Sequence, residues 1–159
     1  MTINVGDTLP EGSFAVMDDG VKNVSTKEVF DGKKVVLFAV PGAFTPTCSA
    51  QHLPGYLHSF EDLRAKGVNT IACLSVNDVF VMNAWAKDQK AEDKVLMLAD
   101  GNGDYTKALG LELDASGFGM GLRSQRFALI ADNGVVTALH IEDAGEFRVS
   151  SAEAILAAL

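Results

Sequence analysis

Cys48, one of only two cysteines in the chain, lies in the segment PGAFTPTC, directly after the continuous apolar run VVLFAV. Such a run is typical of a buried strand, and the polar residues that follow favour a helix. The thiol therefore falls where a strand ends and a helix begins. Neither a turn nor a hydrophobic core requires a cysteine at that place, which favours a chemical role for the sulfur.

The residues around Cys48 predict a helix start that activates the thiol. We expect Thr45 to be the N-cap, with its hydroxyl accepting a backbone N–H, and Pro46 to be the first helical residue. Cys48 then faces the unpaired N–H groups and the positive end of the helix dipole, which favour a nucleophilic thiolate. The alternative is a buried cysteine that packs as a small apolar residue. The polar neighbours favour the reactive thiol.

Two arginines, Arg123 and Arg126, lie in GLRSQRFALI, just before a predicted strand. Each of them taken alone is typical of a solvated surface charge. An arginine that opens an inner strand can instead point along the sheet edge into a crevice, where its planar guanidinium suits an anion or a peroxide oxygen. These side chains are therefore candidates for stabilising charge beside Cys48.

The remaining pattern predicts the elements that position these residues. Apolar segments that alternate with helical ones imply parallel strands, and the Asn133-Gly134 turn implies a late antiparallel hairpin. We expect an α/β fold with a mixed central β-sheet flanked by helices on both faces, and a site at the carboxyl ends of its strands. The predicted strands are 34–40, 68–76, 95–98, 127–131 and 135–141. A short helix is predicted after the capping box of Ser25 and Glu28, and another helix begins at the N-cap Asn77 and runs to about Lys90. The other predicted helices are 46–66, with a kink at Pro54, 106–109 and 151–159.

Composition sets further limits. The length of 159 residues and 48% apolar content predict a single domain, 1–159, with a full core. The net charge of -8 argues against nucleic acid or an anionic membrane as a partner. We expect no transmembrane helix, signal peptide or transit peptide. Two cysteines are too few for a disulfide scaffold, so we expect a reducing, cytoplasmic location.

The segment PGAFTPTCSAQHLPGY resembles the active-site segment of the peroxiredoxins, and most closely that of the type 5 group, called type II in plants. The segments KGVNTIACLSVNDVFVMNAW and RSQRFALIADNGVV resemble the same group, so the resemblance covers essentially the whole chain. It implies a thioredoxin-like fold and the reduction of hydrogen peroxide and organic hydroperoxides. It also implies that the protein uses no metal and no bound organic cofactor.

The resemblance assigns a role to individual residues. Cys48 is the peroxidatic cysteine, which is oxidised to a sulfenic acid; Thr45 hydrogen-bonds the thiolate and the peroxide; and Arg126 is the active-site arginine. Pro41 shields the pocket from water, and Arg123 supports the site. The resemblance also implies a homodimer, which an apolar Phe44 beside the site loop favours.

The sequence leaves more than one way in which the oxidised Cys48 is reduced back to the thiol. Some members of the group carry a third cysteine near the C-terminus, but the matching region here, EFRVSSAEAILAAL, has none. Cys73 lies in the middle of a predicted strand, and we expect it to be a buried apolar residue. This position disfavours it as a resolving cysteine. We expect an external thiol instead, either glutathione with glutaredoxin or thioredoxin. A redox-sensing or binding module without rapid turnover is the alternative function.

His52 follows Cys48 by four residues and shares its helix face. It is able to touch the pocket, although a structural hydrogen bond is the more common role for such a histidine. Cys48 and His52 alone make a weak zinc motif, because a zinc site needs three or four converging ligands. Phe80, Met82 and Trp85 follow helical spacing and predict core or dimer contacts.

Overall fold

The computed structural model describes all 159 residues, and the chain folds around one seven-stranded sheet. The strands are β1 Ser13–Met17, β2 Val21–Ser25, β3 Lys34–Ala39, β4 Thr70–Ser75, β5 Leu96–Ala99, β6 Glu112–Asp114, β7 Leu122–Ser124, β8 Phe127–Asp132 and β9 Val135–Ile141. The strand order of the main sheet is β2-β1-β5-β4-β3-β8-β9, and β6 and β7 form a separate two-stranded sheet.

Parallel and antiparallel pairs meet in the main sheet. β3, β4 and β5 pair in parallel, whereas β8 pairs antiparallel with both β3 and β9. The mixed central sheet that the sequence predicts is confirmed. No helix is long and apolar enough to cross a membrane.

Helices cover both faces of this sheet, as predicted. Alternate residues of β3 point to opposite faces, so Val36 and Phe38 pack in one hydrophobic cluster and Val35 and Leu37 in the other. The helices are α1 Thr26–Phe30, α2 Leu53–His58, α3 Phe60–Ala65, α4 Val79–Asp88, α5 Asp104–Leu109 and α6 Ala152–Ala158. The first cluster includes residues of α2, α3, α4 and α6, and the second includes residues of α1 and α5.

The predicted helix over 46–66 is broken into shorter pieces. Residues 46–47 are helical, a π-helix follows at Cys48–His52, and α2 and α3 complete the segment. Pro54 supplies the reason, because it has no N–H to donate and its ring would collide with the carbonyl four residues earlier. The wider turn is closed instead by the Leu53 N–H, which donates to the Cys48 carbonyl.

Two other local predictions have clear outcomes. The capping box of Ser25 and Glu28 at α1 is confirmed, with both reciprocal hydrogen bonds present. The predicted N-cap Asn77 is wrong: Asp78 caps α4 and accepts the Val81 N–H at 2.8 Å. Both side chains are able to cap a helix, and only the backbone path shows which of two adjacent residues does so.

The sequence did not predict two strand pairs, β1–β2 and β6–β7. Their strands are short and half exposed, so they lack the apolar run that marks a buried strand. In the first pair, Asp19 and Gly20 form the turn with φ values of 52° and 110°. The second pair carries Arg123 and thereby affects the candidate site.

Candidate active site

The strand–helix junction places Cys48 at the carboxyl end of β3, as predicted. β3 ends at Ala39, and the loop through Pro41 leads to a helix that begins at residue 46. Cys48 nevertheless has no exposed surface, and it packs in the hydrophobic cluster beneath α2. The sulfur is therefore surrounded by other side chains within the core.

Arg126 contacts Cys48 directly. Its Nη2 atom lies 3.0 Å from Cys48 Sγ, which accepts a hydrogen bond from the guanidinium. Arg126 immediately precedes β8, and β8 pairs with β3, the strand that leads to the cysteine. The antiparallel pairing thus brings together two residues that are far apart in the sequence.

His52 holds the other side of the same guanidinium. Its Nδ1 lies 2.8 Å from Arg126 Nη1, and its Nε2 lies 3.0 Å from the Ser150 carbonyl oxygen. Because a guanidinium only donates and a carbonyl only accepts, Nε2 carries the hydrogen and Nδ1 is the acceptor. Burial and then the positive charge of Arg126 lower the pKa of His52 from 6.5 to about 3, so the ring is neutral near pH 7. His52 therefore has both a structural hydrogen bond and a contact within the site.

Thr45 takes the predicted place but makes a different hydrogen bond. Its carbonyl accepts the Ser49 N–H at 3.0 Å, as an N-cap carbonyl does. Its hydroxyl, however, donates to the Gly42 carbonyl at 2.6 Å and does not accept an N–H of the helix. The predicted side-chain cap is thus wrong, because the tight PGAFT loop places the Gly42 carbonyl within hydrogen-bonding distance of this hydroxyl.

The loop before the helix is constrained in two further ways. Phe44 has φ 63°, a left-handed conformation that is uncommon for a bulky residue, and its side chain is 53% exposed. Asn77 Oδ1 accepts the Ala43 N–H at 3.0 Å and the Ser75 hydroxyl at 2.6 Å. Asn77 therefore connects this loop to the end of β4 and does not cap a helix.

Arg123 lies near the site without reaching the sulfur. Its Nε donates to the Met120 carbonyl at 2.9 Å and its Nη1 donates to the Val76 carbonyl at 3.1 Å. These bonds connect β7 to the chain just beyond the carboxyl end of β4. Arg123 thus contacts two backbone carbonyls and makes no hydrogen bond to Cys48.

Cys73 lies inside β4, opposite Phe38 of β3, and has no exposed surface. Both cysteines are free. Burial, followed by the neighbouring Cys48, raises the pKa of the Cys73 thiol well above its usual value. A protonated thiol is a poor nucleophile, so this environment does not favour attack by Cys73 on an oxidised partner.

Three residues around Arg126 were not predicted from the sequence. Ser150 provides the carbonyl for His52, and Glu142 accepts hydrogen bonds from the segment that contains Ser150. The Phe147 ring lies 5.9 Å from Arg126 Cζ, within the range of a cation–π interaction. No local pattern marks these residues, since all lie in or beside a loop without regular structure.

A cavity of about 500 Å³ elsewhere in the structure does not include Cys48. Its lining includes the carboxylates of Glu11, Asp78 and Asp104. The site is therefore defined by the contacts of Cys48 and Arg126 and not by the volume of a pocket.

Comparisons with known proteins show the family of the chain. Residues 4–156 match the Redoxin family. The chain is 57% identical to Peroxiredoxin-2C of Oryza sativa subsp. japonica, over 99% of this chain and 98% of that protein. It is 50% identical to Peroxiredoxin-2E, chloroplastic, of Arabidopsis thaliana, over 99% of this chain and 70% of that protein.

A solved structure is similar over its whole length. The crystal structure of reduced Prx3 from Vibrio vulnificus in complex with H2O2 has a TM-score of 0.95 and 57% identity, covering 99% of each chain. The relatives confirm the resemblance found in PGAFTPTC, and the likeness in structure confirms the thioredoxin-like fold. The chain therefore belongs to the peroxiredoxins, the thiol-specific peroxidases of the thioredoxin-like superfamily.

Proposed function

We propose that Cys48 is the peroxidatic cysteine and that Arg126 and Thr45 hold the peroxide beside it. The observation that carries this proposal is the 3.0 Å contact between Arg126 Nη2 and Cys48 Sγ. A guanidinium keeps its positive charge throughout the physiological pH range, so it favours an anion at that place. Pro41, in the loop that leads to the helix, helps to exclude water from the reacting atoms.

The chemical step is a displacement at oxygen. The Cys48 thiolate attacks the O–H oxygen of a hydroperoxide, a sulfur–oxygen bond forms, and the oxygen–oxygen bond breaks with its electron pair on the far oxygen. The products are a sulfenic acid and, after the leaving oxygen takes up a proton, water or an alcohol. Arg126 stabilises the charge that builds on the leaving oxygen. Thr45, whose own hydrogen is donated to Gly42, accepts the O–H of the bound hydroperoxide.

Hydrogen peroxide and organic hydroperoxides are the proposed substrates. The similar Vibrio vulnificus protein was crystallised in its reduced form with H2O2, which supports the first of them. The second rests on the resemblance of the site segment to the type 5 group. Both share the weak oxygen–oxygen bond that a thiolate cleaves.

An external thiol is the proposed reductant of the sulfenic acid. Cys73 is the only other cysteine, and it is buried within a strand with a raised pKa. Glutathione with glutaredoxin is the simplest supply, and thioredoxin is the alternative. In either case the new sulfur–sulfur bond forms as the sulfenic oxygen leaves as water.

We also propose that the chain acts as one domain, 1–159, and assembles as a homodimer. A single sheet that spans the chain supports the first statement. Three exposed phenylalanines support the second: Phe44, Phe80 and Phe118, with 53%, 66% and 86% of their surface exposed. Met82 and Trp85, by contrast, are buried in the core. Light scattering at micromolar concentration tests the dimer, and a monomer there contradicts it.

A reducing compartment, the cytoplasm, is the proposed location, and it is supported by the two free cysteines. One similar protein bears the description chloroplastic, so relatives are not restricted to one compartment. Fractionation of cells that produce the chain tests the proposal, and recovery in another compartment contradicts it.

A steady-state assay tests the peroxidase mechanism. Hydrogen peroxide consumption is measured with glutathione, glutathione plus glutaredoxin, and thioredoxin with its reductase, each separately. We expect sustained turnover with at least one of these reductants and none in Cys48→Ser. One equivalent of peroxide consumed, followed by a stall with every reductant, would instead identify a redox-sensing module.

A further inference from the structure

Glu142 is a buried carboxylate that forms no ion pair. It is 8% exposed, and the two ion pairs of the structure involve other residues. Its Oε2 atom accepts four hydrogen bonds from three successive residues. These come from the backbone N–H groups of Arg148, Val149 and Ser150, at 2.8, 2.9 and 2.8 Å, and from the Ser150 hydroxyl at 2.7 Å. One oxygen thus shapes the end of the loop 143–150.

The charge of Glu142 is favoured by this geometry. Burial raises the pKa of Glu142, but the hydrogen bonds from Ser150, Arg148 and Val149 together outweigh burial and lower it below 4.5. A carboxylate with four donors is a strong acceptor, and a neutral acid would bring a hydrogen of its own into the same space. The loop therefore closes around an anion at neutral pH.

The loop that Glu142 shapes carries two groups that surround His52. The Ser150 carbonyl accepts from His52 Nε2 and also from the Tyr56 hydroxyl, at 2.8 Å. The Phe147 ring lies 5.0 Å from the His52 ring, between centroids. The orientation of the imidazole therefore depends on where the loop places Ser150 and Phe147.

His52 transmits this placement to the guanidinium. It has no exposed surface, and with Nε2 donating to Ser150 the ring plane directs the Nδ1 lone pair at Arg126 Nη1. A guanidinium is planar, so fixing Nη1 also fixes Nη2, the atom that donates to Cys48 Sγ. The backbone adds a second connection, because the Glu142 N–H donates to the Arg126 carbonyl at 3.0 Å.

We propose that Glu142 is a positioning residue for the reaction of Cys48 with peroxide, acting through the Ser150 carbonyl and His52 on the Arg126 guanidinium. The inference rests on the proposed role of Arg126. Glu142 touches neither the sulfur nor the substrate, and its effect is on the direction of the Arg126 N–H groups. Displacing those groups weakens the stabilisation of the leaving oxygen, since a small misplacement near reacting atoms costs rate.

Asp100 offers a matched control within the same chain. It is also a buried carboxylate, 6% exposed, that shapes a loop by accepting hydrogen bonds from the Tyr105 N–H, the Thr106 N–H and the Thr106 hydroxyl. It has no hydrogen bond to the chain of contacts that leads to Arg126. A purely structural loss is therefore expected to be similar at the two carboxylates.

The experiment measures the second-order rate of hydrogen peroxide with the reduced protein by rapid mixing. The single tryptophan reports on the reaction, because Trp85 Nε1 donates to Ser49 Oγ directly beside Cys48. Glu142→Gln and Glu142→Ala are compared with Asp100→Asn and Asp100→Ala. Each variant is also made with Arg126→Ala, and urea unfolding is measured for all.

We expect Glu142→Ala to lower the rate about threefold to thirtyfold, the range found for residues that act through intervening contacts. Glu142→Gln, which keeps one acceptor oxygen in place, should lose less. Arg126→Ala should lose about tenfold to a thousandfold. In the Arg126→Ala background the effect of Glu142→Gln and Glu142→Ala should largely disappear, because the residue through which Glu142 acts is gone. The Asp100 variants should lower stability and leave the rate unchanged.

Different failures have different meanings. Suppose that Arg126→Ala slows the reaction. If Glu142→Gln and Glu142→Ala then leave the rate unchanged, or lower it by the same factor in the Arg126→Ala background, the inference is wrong and the proposed function stands. If Arg126→Ala itself has no effect, the proposed role of Arg126 falls and the inference falls with it. If Glu142→Ala does not fold, Glu142→Gln decides between these outcomes.

Discussion

At the scale of single residues, two thiols of identical chemistry have opposite surroundings. Cys48 receives a hydrogen bond from a guanidinium, whereas Cys73 lies within a strand of the central sheet with a raised pKa. Both have no exposed surface, so exposure alone does not distinguish them. The neighbouring charge and the local backbone are what separate a reactive thiol from a packing one.

The two cysteines should therefore respond differently to substitution. We expect Cys48→Ser to abolish peroxide reduction and Cys73→Ser to keep most of it, because only Cys48 has a cation at its sulfur. Peroxide consumption measures the activity, and circular dichroism checks that both variants fold. Equal losses in two folded variants contradict the assignment.

His52 should make stability depend on pH. Its pKa is about 3 in the folded protein against 6.5 when exposed, so the unfolded chain binds one more proton between those values. The free energy of unfolding should consequently fall as the pH is lowered from about 6.5, by at most about 1.4 kcal/mol per pH unit from this residue. Above pH 6.5 the contribution is fully present.

The free energy of unfolding is measured with urea at about pH 7.0, 6.0, 5.0 and 4.5, and its change with pH gives this slope. His52→Gln should flatten it. His58→Gln is the control, because His58 is exposed and its side chain forms no hydrogen bond in the structure. A slope that is the same in His52→Gln and the unaltered protein contradicts the prediction.

At the scale of elements, one proline decides how the cysteine helix is built. Pro54 has no N–H to donate to the carbonyl four residues earlier, and the wider turn of a π-helix at Cys48–His52 precedes it. This wider turn holds Cys48 and His52 on the side of Arg126, where both contact the guanidinium. A sequence pattern shows the proline but not which turn adjusts to it.

The adjacent residues Asn77 and Asp78 belong to different elements and should be separable. Asp78→Ala removes the N-cap of α4 and should cost about 1 kcal/mol of stability with little change in the peroxide rate. Asn77→Ala frees the Ala43 N–H in the loop before Cys48 and should lower the peroxide rate. Urea unfolding and rapid mixing measure the two effects. If Asp78→Ala slows the reaction more than Asn77→Ala does, the assignment is wrong.

At the scale of the whole molecule, the position of Cys48 has two consequences. The sulfur lies where the end of one strand, the start of a helix and the arginine that precedes another strand meet, and it has no exposed surface there. In the proposed mechanism, peroxide and then a reducing thiol must both reach this buried sulfur. The position of Cys73 within the sheet supports the proposal that the reducing thiol comes from outside the chain.

The proposed route to reduction predicts a specific product. After one equivalent of peroxide and excess glutathione, intact-mass spectrometry should show one glutathione adduct, and peptide mapping should place it on Cys48. Cys73→Ser should give the same adduct. Accumulation of a Cys48–Cys73 disulfide, with full turnover supported by thioredoxin alone, would show instead that Cys73 resolves the sulfenic acid.

The fold class and most residues of the candidate site can be predicted from the sequence alone. The apolar runs predicted the central strands, and PGAFTPTC placed Cys48 at a strand–helix junction. Arg126 was predicted because it opens a strand and matches the motif of a family. These features are local, so a continuous stretch of residues carries the information.

The contacts that hold the candidate site are visible only in the folded structure. The Thr45 hydroxyl donates to Gly42, and Asn77 holds a loop instead of capping a helix, because distances in space select among partners that the sequence leaves equally possible. The contacts from Glu142 through Ser150 and His52 to Arg126 join segments that are distant along the chain. No spacing in the sequence records such contacts, since they exist only once the strands have paired and the loop 143–150 has closed over them.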